Sequence, residues 1–358
     1  MSAERKTVPF STKVEKKHPL VRVEGLSKLY PTTRGLFSKQ EFTYAVNNVS
    51  FYVRAGETLG LVGESGCGKT TLGRTILRLH EPTLGRIHFD GTDITDLSER
   101  NLRTLRRRMQ IIFQDPQGSL NPRLSVEDIV AEGIQVFQLA KSKQAERDKV
   151  ARALGRVGLD ESMMGRFPHE LSGGQRQRVG IARALAVSPS FIVCDEPVSA
   201  LDVPVQAQIV NLLEAHQVER GTSYLFISHD LRIVEHTSHR IAVMYLGKIV
   251  EIGPTPQVSA RRAHPYTRAL FSATPEIGKP RQHLRLAGEP PNSSGPPTGC
   301  VFYSRCYKAE KGKCDVEIPE LDPLSKESSH RVACFFPEEA PAEDAATEKQ
   351  DPSSAEEP

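Results

Sequence analysis

A glycine-rich stretch between an apolar run and a helical pattern constrains this chain more than any other feature. It fits the phosphate-loop pattern G-x-x-x-x-G-K-[ST] with the residues Gly63, Glu64, Ser65, Gly66, Cys67, Gly68, Lys69 and Thr70. Residues 58–62 before it form a short apolar run, and residues 71–79 after it place apolar side chains at helical spacing. This order predicts an α/β fold in which the loop joins a buried parallel strand to a helix.

The residue types in this loop suit phosphate binding. Glycines let the backbone wrap a phosphate chain, where N–H groups and the helix N-terminus supply positive potential. Lys69 is expected to reach the β- and γ-phosphates and Thr70 to ligate Mg²⁺, and Thr71 is grouped with them as nucleotide-binding. Cys67 stands where a small residue is needed. A chance glycine-rich turn is the alternative for this loop taken alone.

A second apolar run ends in two carboxylates. Residues 191–194 predict a buried strand, and Asp195 and Glu196 follow it directly. Carboxylates at the C-terminal edge of a parallel strand lie where ligands bind in such sheets. We therefore expect Asp195 on the Mg²⁺ side and Glu196 placed to orient water. The Asn-Lys-x-Asp sequence typical of guanine recognition is absent from the chain.

Other motifs surround these two runs. Leu171 is followed by Ser172, Gly173, Gly174 and Gln175, where Ser172 suits a helix N-cap and the glycine pair leaves N–H groups free to face an anion. Residues 20–25 predict an edge strand, with Tyr30 just beyond it; Tyr30 suits stacking on a base, although a half-buried strand position is the alternative. Residues 126–167 have helical periodicity throughout.

With these motifs in this order, residues 20–254 resemble the ATP-binding-cassette (ABC) family. The resemblance implies a P-loop NTPase fold of the ABC nucleotide-binding type, with a helical subdomain at about residues 115–172. It implies that the phosphate loop holds ATP and that Tyr30 stacks on adenine. It also implies that Asp195 coordinates Mg²⁺ and that Glu196 is the catalytic base of an ATP hydrolase in which Lys69 also acts.

The same resemblance assigns roles to residues outside the two runs. Gln114 matches the glutamine that contacts Mg²⁺ and water and touches a membrane subunit. Residues 172–175 match the signature that closes on ATP bound to the opposite protomer. Asp202 belongs to the matching dimer-interface loop, and His229 matches the histidine that senses the γ-phosphate. These residues complete the predicted catalytic and nucleotide-binding set.

Three further stretches resemble the ATPases of dipeptide and oligopeptide importers: residues 113–116, 119–123 and 262–270. The likeness is closest to the second ATPase of the importer pair and extends to about residue 336. It implies a heterodimer with a homologous ABC ATPase, two transmembrane permease subunits and a periplasmic or extracellular peptide-binding protein. Import of nickel chelates, glutathione or antimicrobial peptides is an alternative. A soluble ABC ATPase of DNA repair or translation is another, although those usually carry long coiled coils or two cassettes.

Four of the six cysteines lie in one proline-rich segment: Cys300, Cys306, Cys314 and Cys334. In a reducing compartment four thiolates fit an iron–sulfur cluster or zinc better than disulfides, although their spacing is unlike that of a zinc ribbon. Importer ATPases with such an end resemble proteins that hold a [4Fe–4S] cluster. A [4Fe–4S] cluster is therefore expected, with zinc and plain buried cysteines as alternatives.

Charge and hydropathy bound the location and the partners. A formal net charge of +3 is too small to indicate nucleic acid as the main partner. The basic start lacks an apolar stretch, and no run of about eighteen apolar residues occurs, so we expect a peripheral protein on the cytoplasmic side of the inner membrane. The predicted domains are a flexible arm (1–18), the ABC ATPase domain (19–254), a small cysteine-containing C-terminal domain (255–336) and a disordered acidic tail (337–358).

Overall fold

Strands and helices alternate along most of the chain. The structure, a computed structural model, describes residues 19–32, 41–199, 201–273, 284, 286, 288, 291, 295–326 and 328–339. The predicted arm at 1–18 lies outside the described residues, and so does the predicted tail beyond residue 339. No helix in the described part is long and apolar enough to cross a membrane.

The described elements have the following bounds. The strands are β1 (Pro19–Thr32), β2 (Glu41–Arg54), β3 (Thr58–Val62), β4 (Leu84–Phe89), β5 (Thr92–Asp93), β6 (Met109–Ile112), β7 (Phe191–Asp195), β8 (Ser223–Ile227), β9 (Arg240–Tyr245), β10 (Lys248–Pro254), β11 (Asp322–Pro323) and β12 (Arg331–Val332). The helices are α1 (Lys69–Ile76), α2 (Glu99–Arg106), α3 (Pro116–Ser119), α4 (Val126–Val136), α5 (Lys143–Arg156), α6 (Gly173–Leu185), α7 (Val203–Arg220), α8 (Leu231–Thr237), α9 (Thr255–Arg261) and α10 (Pro265–Ser272). Short 3₁₀ helices span Glu161–Met163, Pro168–Glu170 and Tyr303–Arg305.

The central sheet positions the candidate site. Its strand order is β11-β12-β10-β9-β3-β8-β7-β6, and neighbours from β9 to β6 run parallel. Every residue of β3, β7, β8 and β9 is buried, as the continuous apolar runs predict. Because parallel strands end at the same edge, the loops after β3, β6, β7 and β8 meet there.

A smaller antiparallel sheet, with strand order β2-β1-β4-β5, covers one side of α1. The expectation that residues 20–25 form an edge strand is wrong. β1 continues to Thr32 and lies between β2 and β4. Its register shifts between Val23 and Leu26 and again before Lys28, and Gly25 has a φ of 55°. This irregularity breaks the alternation that marks a strand in sequence and hides its continuation.

Helices alone fill the stretch between β6 and the signature. α3, α4, α5 and two 3₁₀ helices occupy it, and apolar side chains of α4 and α5 pack against α6. Ser125 and Ser142 cap α4 and α5 by accepting a backbone N–H bond. The helical block at 126–167 is therefore as predicted, while the subdomain boundaries at 115 and 172 stay predictions.

The C-terminal region joins the main body instead of packing alone. β12 pairs with β10 and so extends the central sheet. Phe302 is fully buried against Tyr245 and Tyr266, within the same core as the parallel strands. Glu338, inside the predicted acidic tail, is also buried and pairs with Arg268. The packing of the described residues therefore does not separate this region from the rest.

Candidate active site

The phosphate-loop motif does lie between a strand and a helix, leading from β3 into α1. Gly68 precedes the helix with a φ of 106°, and a Cβ there would lie 2.0 Å from the carbonyl oxygen of Ala45. Only glycine fits this position. The first-turn N–H groups of α1 have no partner within the helix, and Ser65 and Gly66, just before the helix in sequence, are exposed. This arrangement suits an anion.

Lys69 bends back over the loop. Its ammonium donates to the carbonyl oxygens of Gly63, at 2.7 Å, and Glu64, at 3.0 Å, and the residue is 5% exposed. Cys67 Sγ lies 3.8 Å from the same nitrogen. Burial raises the pKa of the Cys67 thiol. That Cys67 is a small filler residue with possible thiol sensitivity stays a prediction.

Thr70 and Asp195, the two predicted Mg²⁺ ligands, contact each other. Thr70 Oγ1 donates to Asp195 Oδ1 over 2.7 Å, and burial raises the pKa of Asp195. Its second oxygen, Oδ2, is buried without a hydrogen bond among the described residues, 3.8 Å from Arg74 Nη2. Oxygen ligands and an unsatisfied carboxylate are what Mg²⁺ prefers, so these residues fit that ion.

Two predicted residues contact one carboxylate oxygen of a third, Glu196. Gln114 Nε2 lies 3.0 Å from Glu196 Oε2, and His229 Nδ1 lies 3.1 Å from the same atom. The three residues follow β6, β7 and β8, whose ends meet at one edge of the sheet. Glu196 has a φ of 48°, a strained conformation for a residue with a side chain. The two hydrogen bonds hold the Glu196 carboxylate in place.

The signature residues lie at the start of α6. Ser172 accepts the N–H of Gln175, whose side chain accepts the N–H of Ser172, which forms a capping box. Ser172 and Gly173 are exposed, and a Cβ on Gly173 would meet nothing within 4 Å. In the described residues no hydrogen bond or ion pair joins residues 172–175 to the phosphate loop. The motif therefore faces outward.

Tyr30 and Asp202 lie outside these contacts. Tyr30, in β1, is half-buried; its ring packs edge-on to His80, and Lys28 Nζ lies 5.1 Å from the ring centroid. Asp202 is exposed and precedes α7, but its side chain makes no capping bond. Base stacking by Tyr30 and an interface role for Asp202 stay predictions. The neighbouring Ala200 is outside the described residues.

Sequence reasoning missed two residues that contact the loop. Tyr266 Oη accepts the backbone N–H of Glu64, and Arg305 donates two hydrogen bonds to the Glu64 carboxylate. In the sequence, residues 262–270 are distinguished only by their resemblance to the importer ATPases. No local pattern signals a contact between positions more than two hundred residues apart.

The four C-terminal cysteines line one cavity together with Phe302, Phe335 and Phe336. Burial raises the pKa of Cys300 and Cys306, and that of Cys334 to about 12. None of the four is in a disulfide.

This cavity bears on the predicted metal site. The described residues include no group of three or more His, Cys, Asp or Glu side chains placed to hold a metal ion. The cavity volume is about 10 Å³, room for one water molecule. The donor set of four cysteines suits an iron–sulfur cluster.

Known proteins are similar to this chain in sequence and in fold. Residues 46–199 match the ABC transporter family, and residues 250–314 match the C-terminal region of the oligopeptide/dipeptide transporters. The chain is 47% identical over 323 residues to the oligopeptide transport ATP-binding protein AppF of Bacillus subtilis, covering 88% of this chain and 97% of the relative. It is 49% identical over 318 residues to the probable peptide ABC transporter ATP-binding protein y4tS of Sinorhizobium fredii, covering 88% and 89%.

A solved structure has the same fold. The dimeric ATP-binding cassette MJ0796, in a post-hydrolysis state with ADP and Pi, has a TM-score of 0.60 and 30% identity, covering 66% of this chain and 98% of that one. The α/β cassette fold predicted from the sequence is thus confirmed. The chain therefore belongs to the ABC transporter ATPases, in the group that carries the oligopeptide/dipeptide transporter C-terminal region.

Proposed function

We propose that this chain is the ATP-binding subunit of an importer that hydrolyses ATP to move dipeptides or oligopeptides across the cytoplasmic membrane. The match of residues 250–314 to the oligopeptide/dipeptide transporter C-terminal region carries the proposal. Names of relatives such as AppF, an oligopeptide transport ATP-binding protein, support it. These names do not favour nickel chelates, glutathione or antimicrobial peptides as cargo, nor a role in DNA repair or translation.

The geometry supports a division of roles within the site. Lys69 lies where its charge neutralises the β- and γ-phosphates once it leaves the loop carbonyls. Thr70 and Asp195 would hold Mg²⁺, which when bound offsets the charge that develops during phosphoryl transfer. Glu196 acts as general base for the attacking water, and Gln114 and His229 hold its carboxylate in place.

The outward-facing signature supports a dimer. Exposed Ser172 and the N-terminus of α6 offer hydrogen-bond donors that a nucleotide on another cassette can meet. We infer that this chain pairs with a homologous ABC ATPase and that ATP is bound between the two, with Asp202 near the interface. Two permease subunits and a peptide-binding protein complete the assembly, which places this subunit peripherally at the cytoplasmic face of the inner membrane.

The four C-terminal cysteines form the second part of the proposal. Their meeting in one cavity supports a shared ligand, and we propose a [4Fe–4S] cluster held by Cys300, Cys306, Cys314 and Cys334. Zinc is the alternative. The cluster has no step in ATP hydrolysis; its role is to staple a segment that has few bulky apolar residues of its own.

The transport proposal is tested by rebuilding the assembly. The chain is purified with its partner subunits, placed in lipid vesicles, and assayed for ATPase activity with the binding protein loaded with dipeptides, oligopeptides, glutathione or a nickel chelate. Peptide-loaded binding protein should stimulate hydrolysis and drive peptide uptake. If only glutathione or only the nickel chelate stimulates hydrolysis, the peptide cargo assignment is wrong. If the ATPase co-purifies with no permease, the proposal that it belongs to an importer is wrong.

The cluster is tested on full-length protein prepared without oxygen. It should be brown and contain about four irons with matching sulfide, and each Cys→Ser change at the four positions should lose iron. Cys194→Ser, a buried cysteine outside the cavity, is the matched control and should retain it. If the protein instead contains zinc in stoichiometric amount, the four cysteines still form a metal site but the iron–sulfur cluster is excluded. Metal-free protein with four titratable thiols would exclude both.

A further inference from the structure

Two residues of the C-terminal region make hydrogen bonds to Glu64 of the phosphate loop. The backbone N–H of Glu64 donates to Tyr266 Oη over 2.8 Å. The Glu64 carboxylate accepts two hydrogen bonds from the Arg305 guanidinium, with Nη1 at 2.7 Å from Oε2 and Nη2 at 3.1 Å from Oε1. Such a bidentate pair fixes direction as well as distance. Both the backbone and the side chain of one loop residue are therefore held from outside the loop.

Tyr266 and Arg305 are themselves buried and closely packed. Tyr266 is fully buried, with its ring centroid 4.7 Å from that of Tyr245 and 5.4 Å from that of Phe302. The Arg305 side chain is 6% exposed, and its Nη1 lies 3.4 Å from Tyr245 Oη. Hydrogen bonds to Glu64 and Tyr245 raise the pKa of Arg305, so its charge is permanent. The contact is rigid on the side of the C-terminal region.

Glu64 also connects these contacts to Lys69, the lysine proposed to bind nucleotide. The carbonyl oxygens of Gly63 and Glu64 are the two backbone acceptors of Lys69 Nζ. Tyr266 thus holds the peptide group that joins Gly63 to Glu64. Arg305 holds the Glu64 side chain, which lies between that peptide group and the next one. A phosphate cradle works best when its N–H groups and charge already stand in their bound geometry.

We propose that Arg305 and Tyr266 are positioning residues of the nucleotide site, acting through Glu64 to hold the phosphate loop in its binding shape. The inference rests on the proposed function of the phosphate loop. It gives the C-terminal region a part in ATP binding, in addition to any part in transporter assembly or metal binding.

The test uses full-length chain titrated with a fluorescent ATP analogue, and the assembled transporter for kinetics. Arg305→Met and Tyr266→Phe should each weaken nucleotide binding about tenfold, as expected for loss of a hydrogen bond involving a charged group or a buried backbone donor. In the transporter they should raise KM for ATP more than they lower kcat. Arg305→Lys, which keeps the charge but loses the fork, should fall between wild type and Arg305→Met.

A mutant cycle distinguishes positioning from general damage. If Arg305 acts through Glu64, the double variant Glu64→Gln with Arg305→Met should bind no more weakly than the worse single variant. Arg268→Met is the matched control, because Arg268 anchors the same region to Glu338 without touching the loop. Its nucleotide affinity should equal that of wild type. A loss as large as that of Arg305→Met would overturn the proposal.

Two further outcomes separate this proposal from the function on which it rests. Unchanged affinity in Tyr266→Phe and Arg305→Met, beside a clear loss in Lys69→Ala, overturns the positioning role alone. Unchanged affinity in Lys69→Ala as well overturns the phosphate-site assignment. Should Arg305→Met fail to fold, Tyr266→Phe decides the matter, because it keeps the ring packing and removes only the hydroxyl.

Discussion

Gln114 and Glu196 share a hydrogen bond of 3.0 Å although 82 residues separate them in sequence. Gln114 lies in the loop that leads from β6 into the helical block, and Glu196, the candidate base, directly follows β7. His229 contacts the same oxygen from a third loop. A shift of the helical block relative to the sheet would therefore be felt at this carboxylate. The arrangement couples the part of the chain expected to meet a permease to the proposed site of water activation.

Glu196→Gln should retain ATP binding and reduce hydrolysis by about 10²–10⁴-fold, because the amide cannot accept the water proton. The change keeps the shape of a side chain that Gln114 and His229 contact. ATPase assays of the assembled transporter measure turnover, and size analysis detects the trapped ATP-bound dimer. The corresponding variant of the partner ATPase is run in parallel. Near wild-type turnover with the partner's site disabled would remove Glu196 from its proposed role.

Lys69→Ala should lower ATP affinity by at least about tenfold, because a charge facing the β- and γ-phosphates is lost. It also removes the donor shared by the carbonyls of Gly63 and Glu64. Equilibrium titration of the full-length chain measures the change. Lys313→Ala removes a lysine paired with Glu317, far from the loop in sequence, and serves as the control. Equal affinities for the two variants would contradict the assignment.

Glu251→Leu should lower the free energy of unfolding by about 3–5 kcal/mol, because it removes the acceptor of a buried network. The Glu251 carboxylate, fully buried, accepts the N–H groups of Ala263 and His264 and contacts His330 Nε2 over 2.6 Å. Denaturant titration of the variant beside the exposed control Glu317→Gln measures the difference. A loss below about 1 kcal/mol would show that the three donors find other partners.

Stability should fall as pH drops from about 6.5 to 4, in part through His216. Burial, with a smaller effect from Arg156, lowers the pKa of His216 from 6.5 to about 4. In this window the unfolded chain binds a proton that the folded chain does not, so acid favours unfolding. The loss from this residue approaches about 3 kcal/mol at pH 4. His216→Phe, compared with wild type by denaturant titration at several pH values, should show a shallower pH dependence.

Much of the fold followed from local patterns. The apolar runs of β3 and β7 predicted buried strands because a strand buried on both faces consists almost entirely of apolar residues. Ser172 was predicted as an N-cap because its hydroxyl can satisfy a helix N–H, as it does. β1 was underestimated because its bulges at Gly25 break the alternation.

The site was harder to predict from residues alone. The roles of Gln114 and His229 came from family resemblance, since a lone glutamine or histidine after a strand carries no pattern. Tyr266 and Arg305 were not foreseen because their contact with Glu64 spans 202 and 241 residues. Such contacts depend on how the C-terminal region folds back, which hydrophobic periodicity does not encode.

The pairing of β12 with β10 also affects whether separate copies of this protein can aggregate through a strand edge. Without it, the seven residues of β10, five of them buried, would present an unpaired apolar edge to any other chain. β12, two residues long, pairs with Glu251 and Ile252 on that edge, and the equally short β11, which ends in Pro323, lies outside β12. Short strands and proline cannot template a further strand. A chain ending before residue 331 would therefore be prone to aggregation through the exposed edge of β10.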